Sequence, residues 1–316
     1  MAPVRPPCQQ LVMSRHNAEN SQHPGHQPWD VGLMPELKNL CLQVDPESID
    51  SSIPAITNSL HYYGFALLNG LGSEAGKSMI SQRLIKLSNH LGRIVPQSPR
   101  GEQIEDVRDF TDVDISDDRG YRSPGRLSPH SDPPTIILLH CLQCARSGGE
   151  SEIVNVGSIY REMNRRDPDS VEQLFNKFPV WEVEGSQGRA AAGPAASQRS
   201  ILARHNGLIS CVLYRPFTEM AADHLGVPLT SEQAQALDLF ESCANNRALA
   251  LKFTLQPGVT MLLHNRTVLH ARTEYTDWPQ PEKRRHLLRT WIDAPDLLPV
   301  APEHELGDIF GDVKLN

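Results

Sequence analysis

The sequence of 316 residues contains no long apolar run. A helix that spans a bilayer needs about 18 or more consecutive apolar residues, so we expect no membrane partner. The start of the chain also lacks the apolar centre of a signal peptide, because Pro6 and Pro7 follow Arg5 and the longest early apolar stretch is Leu11-Val12-Met13. These two absences predict a cytoplasmic protein.

Cysteine and positive charge are also scarce. Six cysteines are too few for a disulfide scaffold in a chain of this length, and we expect reduced thiols. The 30 basic and 38 acidic residues give a net charge of −8, which argues against a general nucleic-acid surface. Apolar residues make up 39% and charged residues 22%, as in an ordinary globular protein with a large core.

Composition divides the chain into an arm and one folded domain. Residues 1–30 are rich in Pro, Gln, Asn and His, which predicts a flexible N-terminal arm. Residues 31–316 are predicted to form a single domain. Within it, the Gly-, Ala- and Ser-rich stretch 185–200 can bury little surface, and we expect a mobile loop there.

Apolar periodicity predicts a mainly β protein with flanking helices. Helices are predicted at 33–44, 51–63, 73–92, 158–165, 168–177 and 230–244. Strands are predicted at 64–70, 134–140, 152–156, 179–184, 208–215, 248–255, 258–264, 267–272 and 286–292. Many short strands with helices packed outside favour a sandwich or barrel, because the second half lacks the regular alternation of a doubly wound sheet.

The segment "PHSDPP" places two metal-ligand residues two positions apart. On extended backbone, which the following prolines favour, His130 and Asp132 point to the same side. The stretch "TMLLHNRTVLHART" offers His264 or His270 as a third ligand, and we prefer His270 because it lies inside a predicted strand. Two histidines and one carboxylate are typical of non-haem Fe(II) oxygenases. The alternative is structural, with His130 at a strand end and Asp132 in a turn.

A second feature is a pair of arginines in "EKRRHLLRTWIDAP". On a strand, Arg285 and Arg289 share a face and lie about 13 Å apart, which suits two anionic groups in one pocket. The alternative is that both arginines pair with acidic residues of neighbouring strands.

Four motifs occur together in one order. They are H-S-D (130–132), G-G-E-S (148–151), H-A-R-T (270–273) and R-R-H-L-L-R (284–289). This set resembles the taurine dioxygenase and clavaminate synthase-like (TauD/TfdA-type) family over residues 60–295. The resemblance implies a double-stranded β-helix, or jelly-roll, and a catalytic domain that uses Fe(II), 2-oxoglutarate and O2. It further implies oxidation, most often hydroxylation, of a C–H bond in a small polar or anionic molecule such as an amino acid, with release of succinate and CO2.

The resemblance also implies roles for individual residues. His130, Asp132 and His270 would hold the iron, and the carboxylate of Asp132 indicates oxygenation and not halogenation. Arg285 would bind the far carboxylate of 2-oxoglutarate, Ser151 would assist it, and Arg289 would be a second arginine near the iron. About four extra residues near 278–283 leave open which arginine takes the far carboxylate.

Substrate-binding candidates are Arg126, Tyr121 and Trp291, with Arg122 as a further cation. Ordinary surface charge or core packing is the alternative for each. Loop 185–200 can act as a lid. Competing functions are desaturation or cyclisation with the same cofactors, a zinc hydrolase with the same ligands, and a binding protein without chemistry. The expected partner is a small molecule, and a homo-oligomer is compatible with the sequence.

One remaining motif is C-x-x-C at Cys141 and Cys144. A zinc site of this type needs a second such pair, which the sequence lacks. We therefore expect both cysteines to pack as small apolar residues.

Overall fold

The computed structural model describes residues 28–29, 31–72, 76–97, 101–110, 122–181 and 196–306. Most of the predicted arm, residues 182–184 of the strand predicted at 179–184, residues 185–195 of the predicted loop, and Tyr121 lie outside these described residues.

The described chain contains short α-helices and a larger number of short strands. The helices are α1 (Leu37–Leu40), α2 (Ile53–Tyr63), α3 (Lys77–Leu91), α4 (Val156–Arg166), α5 (Pro168–Gln173), α6 (Arg215–Leu225) and α7 (Ser231–Ala244). The first strands are β1 (Cys41–Gln43), β2 (Phe65–Asn69), β3 (Arg93–Val95), β4 (Glu105–Val107), β5 (Leu127–His130), β6 (Ile136–Gln143), β7 (Ser147–Gly148), β8 (Ser151–Asn155) and β9 (Lys177–Trp181). The later strands are β10 (Ala196–Ser200), β11 (Leu202–His205), β12 (Leu208–Cys211), β13 (Ala250–Phe253), β14 (Thr260–His264), β15 (Val268–Arg272), β16 (Tyr275–Thr276) and β17 (His286–Asp293).

Two sheets form the centre of the molecule. The larger sheet has the order β1-β2-β14-β6-β17-β3, with β4 also paired to β17. The smaller sheet has the order β13-β8-β15-β5. Three two-stranded ribbons complete the described β-structure: β9 with β10, β11 with β12, and β7 with β16.

The sheets pack face to face around a shared apolar core, because alternate residues of a strand point to opposite faces. Side chains from the larger sheet meet side chains from the smaller sheet there, namely Leu67, Ile137, Met261, Leu263, Ile153, Leu251 and Val268. This arrangement is the double-stranded β-helix, and the predicted mainly β fold with flanking helices is confirmed.

Helices cover the outer faces of both sheets. Helices α2 and α3 bury Leu60 and Leu84 against the outer face of the larger sheet, where Leu138 of β6 points. Helices α4, α5 and α7 bury residues such as Ile159 and Phe240 against the smaller sheet. None of the helices in the described ranges is both long and apolar enough to cross a membrane.

Local sequence explains where several of these elements begin and end. Helix α2 ends at Gly64, whose φ of 76° is left-handed and suits glycine, and β2 follows at once. Helix α7 begins with a capping box, in which the Thr230 side chain and the Gln233 side chain each satisfy the other residue's backbone N–H.

Some elements differ from the prediction. A helix over 33–44 is wrong beyond Leu37–Leu40, because Cys41–Gln43 form β1 and pair in parallel with β2. Helix α6 was not predicted. Residues 196–200, predicted as part of the loop, form β10 and pair with β9. Trp29, predicted within the arm, is 5% exposed and donates a hydrogen bond of 3.0 Å to the carbonyl of Tyr63.

Candidate active site

Strand pairing in the smaller sheet brings the proposed metal ligands together. In the register of β5 and β15, His130 lies opposite His270, and the two ring centroids are 4.2 Å apart. Asp132 follows β5 by two residues. One ligand atom from each of the three side chains lies within 4.8 Å of the others, which is the separation that a shared metal ion requires. His264, the alternative ligand, is 1% exposed and does not belong to this cluster.

A neighbouring carbonyl sets the proton position on His130. Its Nδ1 lies 2.8 Å from the carbonyl oxygen of Ser128. A carbonyl oxygen only accepts hydrogen bonds, so Nδ1 carries the proton and Nε2 keeps its lone pair. Nε2 lies 3.8 Å from Oδ1 of Asp132, so the free lone pair is on the side of the carboxylate.

The second histidine is held in its neutral form. Burial lowers the pKa of His270 to about 3, and the positive charge of Arg289 acts in the same direction. A metal binds neutral imidazole, so this environment keeps a lone pair available at neutral pH.

The two carboxylate oxygens of Asp132 face different neighbours. Oδ1 faces His130, while Oδ2 accepts hydrogen bonds from Nη1 of Arg289 at 3.2 Å and from Nε1 of Trp291 at 3.3 Å. Burial alone would raise the pKa of Asp132, but the charge of Arg289 and the hydrogen bond from Trp291 outweigh it and lower the pKa. The group is therefore an ionised carboxylate with one oxygen free for a cation.

Asn265 and Arg266, between β14 and β15, fix the backbone of the Asp132 segment. Nη1 of Arg266 donates to the carbonyl of Asp132 at 2.8 Å, and Nη2 donates to the carbonyl of Pro133. The Asn265 side chain accepts from the Asp132 backbone N–H at 3.2 Å and donates to the carbonyl of Pro134 at 3.1 Å. The sequence analysis missed both roles. No local pattern marks them, because the partners are more than 130 positions away along the chain.

Gln97 is a further residue that the sequence analysis missed. Its Oε1 accepts from Nε of Arg289 at 2.7 Å, and its Nε2 donates to the Arg289 carbonyl at 2.9 Å. Both side chains are less than a tenth exposed. Gln97 thus orients the guanidinium of Arg289 toward Asp132.

Arg285 lies in a different environment from Arg289. It is 6% exposed, and its Nη1 has no hydrogen-bond partner among the described residues. Its guanidinium carbon is 5.3 Å from the ring centre of Tyr275. A buried guanidinium with an unfilled donor needs an anion, which the described side chains do not supply at that nitrogen.

The two glycines of G-G-E-S are required by close approach. Gly148 and Gly149 both have a φ of 73°, which favours glycine. A Cβ at Gly148 would overlap the carbonyl oxygen of Glu274, and one at Gly149 would lie 3.3 Å from both Nε of Arg285 and Cβ of Tyr275. The motif therefore lets Arg285 and the ribbon of β7 and β16 pack together.

Comparison with known proteins identifies the family. The model of the family described as "Taurine catabolism dioxygenase TauD, TfdA family" matches residues 39–291. The chain belongs to this family. FR-33289 synthase of Streptomyces rubellomurinus is 29% identical over 242 residues, which cover 74% of this chain and 70% of that relative. Uridine-5'-phosphate dioxygenase of Amycolatopsis sp. is 24% identical over 261 residues, which cover 76% of this chain and 89% of that relative.

Solved structures show the same fold at lower identity. A structure of asparagine oxygenase with Fe(II), 2S,3S-3-hydroxyasparagine and succinate has a TM-score of 0.60 and 18% identity, over 84% of this chain and 98% of that one. Several curated relatives are matched over less than half of their own length. The TauD, TfdA family assignment makes this chain a non-haem iron dioxygenase that uses Fe(II), 2-oxoglutarate and O2.

The donor set of this TauD, TfdA family member fits Fe(II). Two imidazoles and one carboxylate on one side of an ion leave positions for a cosubstrate and O2. The buried, unfilled Nη1 of Arg285 fits a carboxylate of 2-oxoglutarate, and a zinc hydrolase gives no reason for it.

Other predicted residues lie in different places. Ser151 of β8 is 8% exposed and is paired with Arg272 of β15. Trp291 is a hydrogen-bond donor to Asp132. Arg126 donates to Oε2 of Glu152 at 3.3 Å, and residue 152 belongs to the outward face of β8.

Arg122 also has partners outside the triad. Its guanidinium carbon lies 4.0 Å from the ring centre of Phe110. The C-x-x-C cysteines are free thiols with sulfur atoms 4.0 Å apart, and Cys141 packs in the core between the sheets as a small apolar residue.

Proposed function

We propose that this dioxygenase hydroxylates a C–H bond of a small polar or anionic metabolite, such as an amino acid or a related molecule, and releases succinate and CO2. The convergence of His130, Asp132 and His270 inside the β-helix carries the proposal. The relative named uridine-5'-phosphate dioxygenase supports an anionic substrate. The structural neighbour named asparagine oxygenase has the same fold, and we extend the amino-acid class of substrate to this chain as a proposal.

Different side chains bind the metal, the cosubstrate and the substrate. His130, Asp132 and His270 hold Fe(II), which supplies the oxidising chemistry together with 2-oxoglutarate and O2. Arg285, assisted by Ser151, binds the far carboxylate of 2-oxoglutarate, because its guanidinium is buried with an unfilled donor.

Arg289 is the cation beside the triad. Gln97 and Asp132 fix its guanidinium, so its positive charge is held beside the carboxylate of the triad. We assign it to an anionic group of the substrate or to the near carboxylate of 2-oxoglutarate.

The test is formation of succinate and uptake of O2 with Fe(II), 2-oxoglutarate and a library of amino acids, amines and phosphorylated metabolites. His130→Ala and His270→Ala should each lower substrate-stimulated turnover by at least about a hundredfold, because each removes a metal ligand. His224→Ala is the matched control, since His224 is exposed on α6 and should keep normal turnover. Normal turnover in either ligand variant would contradict the proposed site.

The products and the bound metal separate the competing functions. Mass spectrometry distinguishes addition of one oxygen atom from loss of two hydrogen atoms, which desaturation or cyclisation would give. Zinc in protein purified without oxygen, together with succinate-free turnover, would favour a hydrolase. Cytoplasmic location and self-association stay predictions.

A further inference from the structure

Beside Arg285 lies a second buried donor that the proposed function does not use. Tyr275, in β16, is 5% exposed, and its hydroxyl has no hydrogen-bond partner within the described part of the chain. The same is true of Nη1 of Arg285. Folded proteins rarely leave buried donors without acceptors, so two of them on neighbouring side chains indicate a site for a ligand.

The Tyr275 ring lies close to two guanidinium groups. The guanidinium carbon of Arg285 is 5.3 Å from the ring centre, and that of Arg272 is 4.9 Å from it. Contact with an aromatic face stabilises a cation and limits its orientations. The ring therefore positions Arg285, while Arg272 adds positive charge to the same region.

The surrounding backbone fixes this arrangement. Strand β16 pairs with β7, which places Tyr275 opposite Gly148. Gly149 leaves room for Arg285 and Tyr275 to approach each other, because a Cβ there would be 3.3 Å from atoms of both. The Arg285 backbone N–H is held by Oδ1 of Asp277 at 2.7 Å. The two donors are thus prepared before any ligand arrives.

The chemistry of the two donors selects a carboxylate. A guanidinium N–H and a phenol O–H can each donate to one oxygen of a carboxylate, and the positive charge of two arginines favours an anion. Burial raises the pKa of Tyr275, so its hydroxyl keeps the proton that it would donate.

We propose that the Tyr275 hydroxyl is a second donor to the far carboxylate of 2-oxoglutarate, and that the Tyr275 ring positions the guanidinium of Arg285 for the same contact. This inference rests on the proposed function, because it assumes that Arg285 binds that carboxylate. It adds a residue that the four sequence motifs do not contain.

The experiment compares two ligands that differ only in whether they carry the far carboxylate. Isothermal titration calorimetry without oxygen, on protein loaded with Fe(II), measures binding of 2-oxoglutarate and of 2-oxopentanoate, which lacks the far carboxylate. Tyr275→Phe should weaken binding of 2-oxoglutarate by about tenfold or more, since it removes a hydrogen bond to a charged group. Binding of 2-oxopentanoate should not change. Tyr62→Phe is the control, because Tyr62 is 58% exposed.

A measurement without ligand separates binding from packing. The hydroxyl has no partner in the protein, so Tyr275→Phe should leave the melting temperature of the metal-free protein unchanged or raise it. Equal weakening of both ligands, or unchanged binding of 2-oxoglutarate, would overturn the proposal for Tyr275.

The proposed function has its own readout in the same experiment. The wild-type protein and Arg285→Gln report on the cosubstrate site itself. If the wild-type protein binds 2-oxoglutarate no better than 2-oxopentanoate, both the cosubstrate assignment and the Tyr275 proposal are overturned. If wild type prefers 2-oxoglutarate, Arg285→Gln abolishes that preference and Tyr275→Phe does not reduce it, only the Tyr275 proposal fails.

Discussion

At the scale of single residues, the donors around Asp132 decide which of its oxygens is available to a metal. Arg289 and Trp291 both donate to Oδ2, and Oδ1 remains on the side of His130. A carboxylate held in this way cannot rotate freely, so the three ligands are arranged before the ion binds. Residues behind the metal ligands thus contribute to metal affinity without touching the metal.

We expect Trp291→Phe to weaken Fe(II) binding by about tenfold, because it removes one of the two hydrogen bonds that orient Asp132. The aromatic ring is retained, so the folded state should persist. Titration with Fe(II) under anaerobic conditions, or with Co(II) as a spectroscopic substitute, measures the affinity. Trp278→Phe is the matched control, because Trp278 is 37% exposed and lies away from Asp132 in the described contacts. Equal Fe(II) affinity in Trp291→Phe and wild type would show that Arg289 alone orients the carboxylate.

The triad could be predicted from the sequence, and its supporting residues could not. His130 and Asp132 are marked by a spacing of two on extended backbone, and His270 is marked by its place inside a strand. Gln97 carries no such mark, because its contact with Arg289 spans 192 positions. Which arginine pairs with Asp132 depends equally on the packing of distant strands.

At the scale of secondary-structure elements, the connection between β14 and β15 holds the backbone of the metal-binding segment in place. Arg266 is 1% exposed, and its guanidinium donates to backbone carbonyls of Asp132, Pro133 and His304. Burial lowers its pKa to about 10, which still leaves it charged at neutral pH. Three carbonyl dipoles take the place of a counter-ion.

Replacement of this arginine should affect both stability and metal binding. We expect Arg266→Met to lower the free energy of unfolding by about 3 kcal/mol or more, since it leaves buried carbonyl groups without donors. Urea denaturation of the metal-free protein measures that change, and Fe(II) titration should show weaker binding as the Asp132 segment loosens.

A surface arginine serves as the control for Arg266→Met. Arg165 is 70% exposed at its side chain and pairs with Glu162 within α4, so Arg165→Met should leave the free energy of unfolding almost unchanged. If Arg266→Met is no more destabilising than Arg165→Met, the carbonyl contacts do not hold the segment.

Helix α6 and strand β1 are among the elements that escaped prediction, and each has an identifiable reason. Helix α6 buries Thr218, Ala221 and Ala222, which are small and leave no strong apolar period in the sequence, and it exposes Met220. Strand β1 follows directly on α1 and has a pattern that fits a helix. Its pairing with β2 overrides that local preference, and such pairing depends on residues 67–69.

At the scale of the whole molecule, three histidines with lowered pKa values make stability sensitive to pH. Burial lowers the pKa of His140 to about 4, of His270 to about 3 and of His304 to about 3. For His304 the contacts fit a neutral ring, because Nε2 donates to the Ser200 carbonyl and Nδ1 accepts from the Ser210 hydroxyl. All three rings are uncharged in the folded protein at neutral pH.

Acid lowers the stability of the folded protein, because the unfolded chain takes up more protons. Below about pH 6.5 the unfolded chain protonates these histidines and the folded protein does not, so acid favours unfolding. Each depressed group therefore stabilises the fold above the unfolded pKa, and this contribution is lost as the pH falls toward the folded pKa. Between about pH 7 and about pH 5 the loss is about 2 kcal/mol for each histidine, or about 6 kcal/mol in total.

We expect urea denaturation of the metal-free protein to show this decline between about pH 7 and about pH 5. His304→Gln should reduce the pH dependence by about one third, since it removes one of three titrating groups, whereas exposed His224→Ala should leave it unchanged. Metal should steepen the decline further, because protons compete for the ligand nitrogen of His270. If the free energy of unfolding stays constant or rises on acidification over this range, these rings protonate in the folded protein. Water would then reach parts of the core that the packed sheets should keep dry.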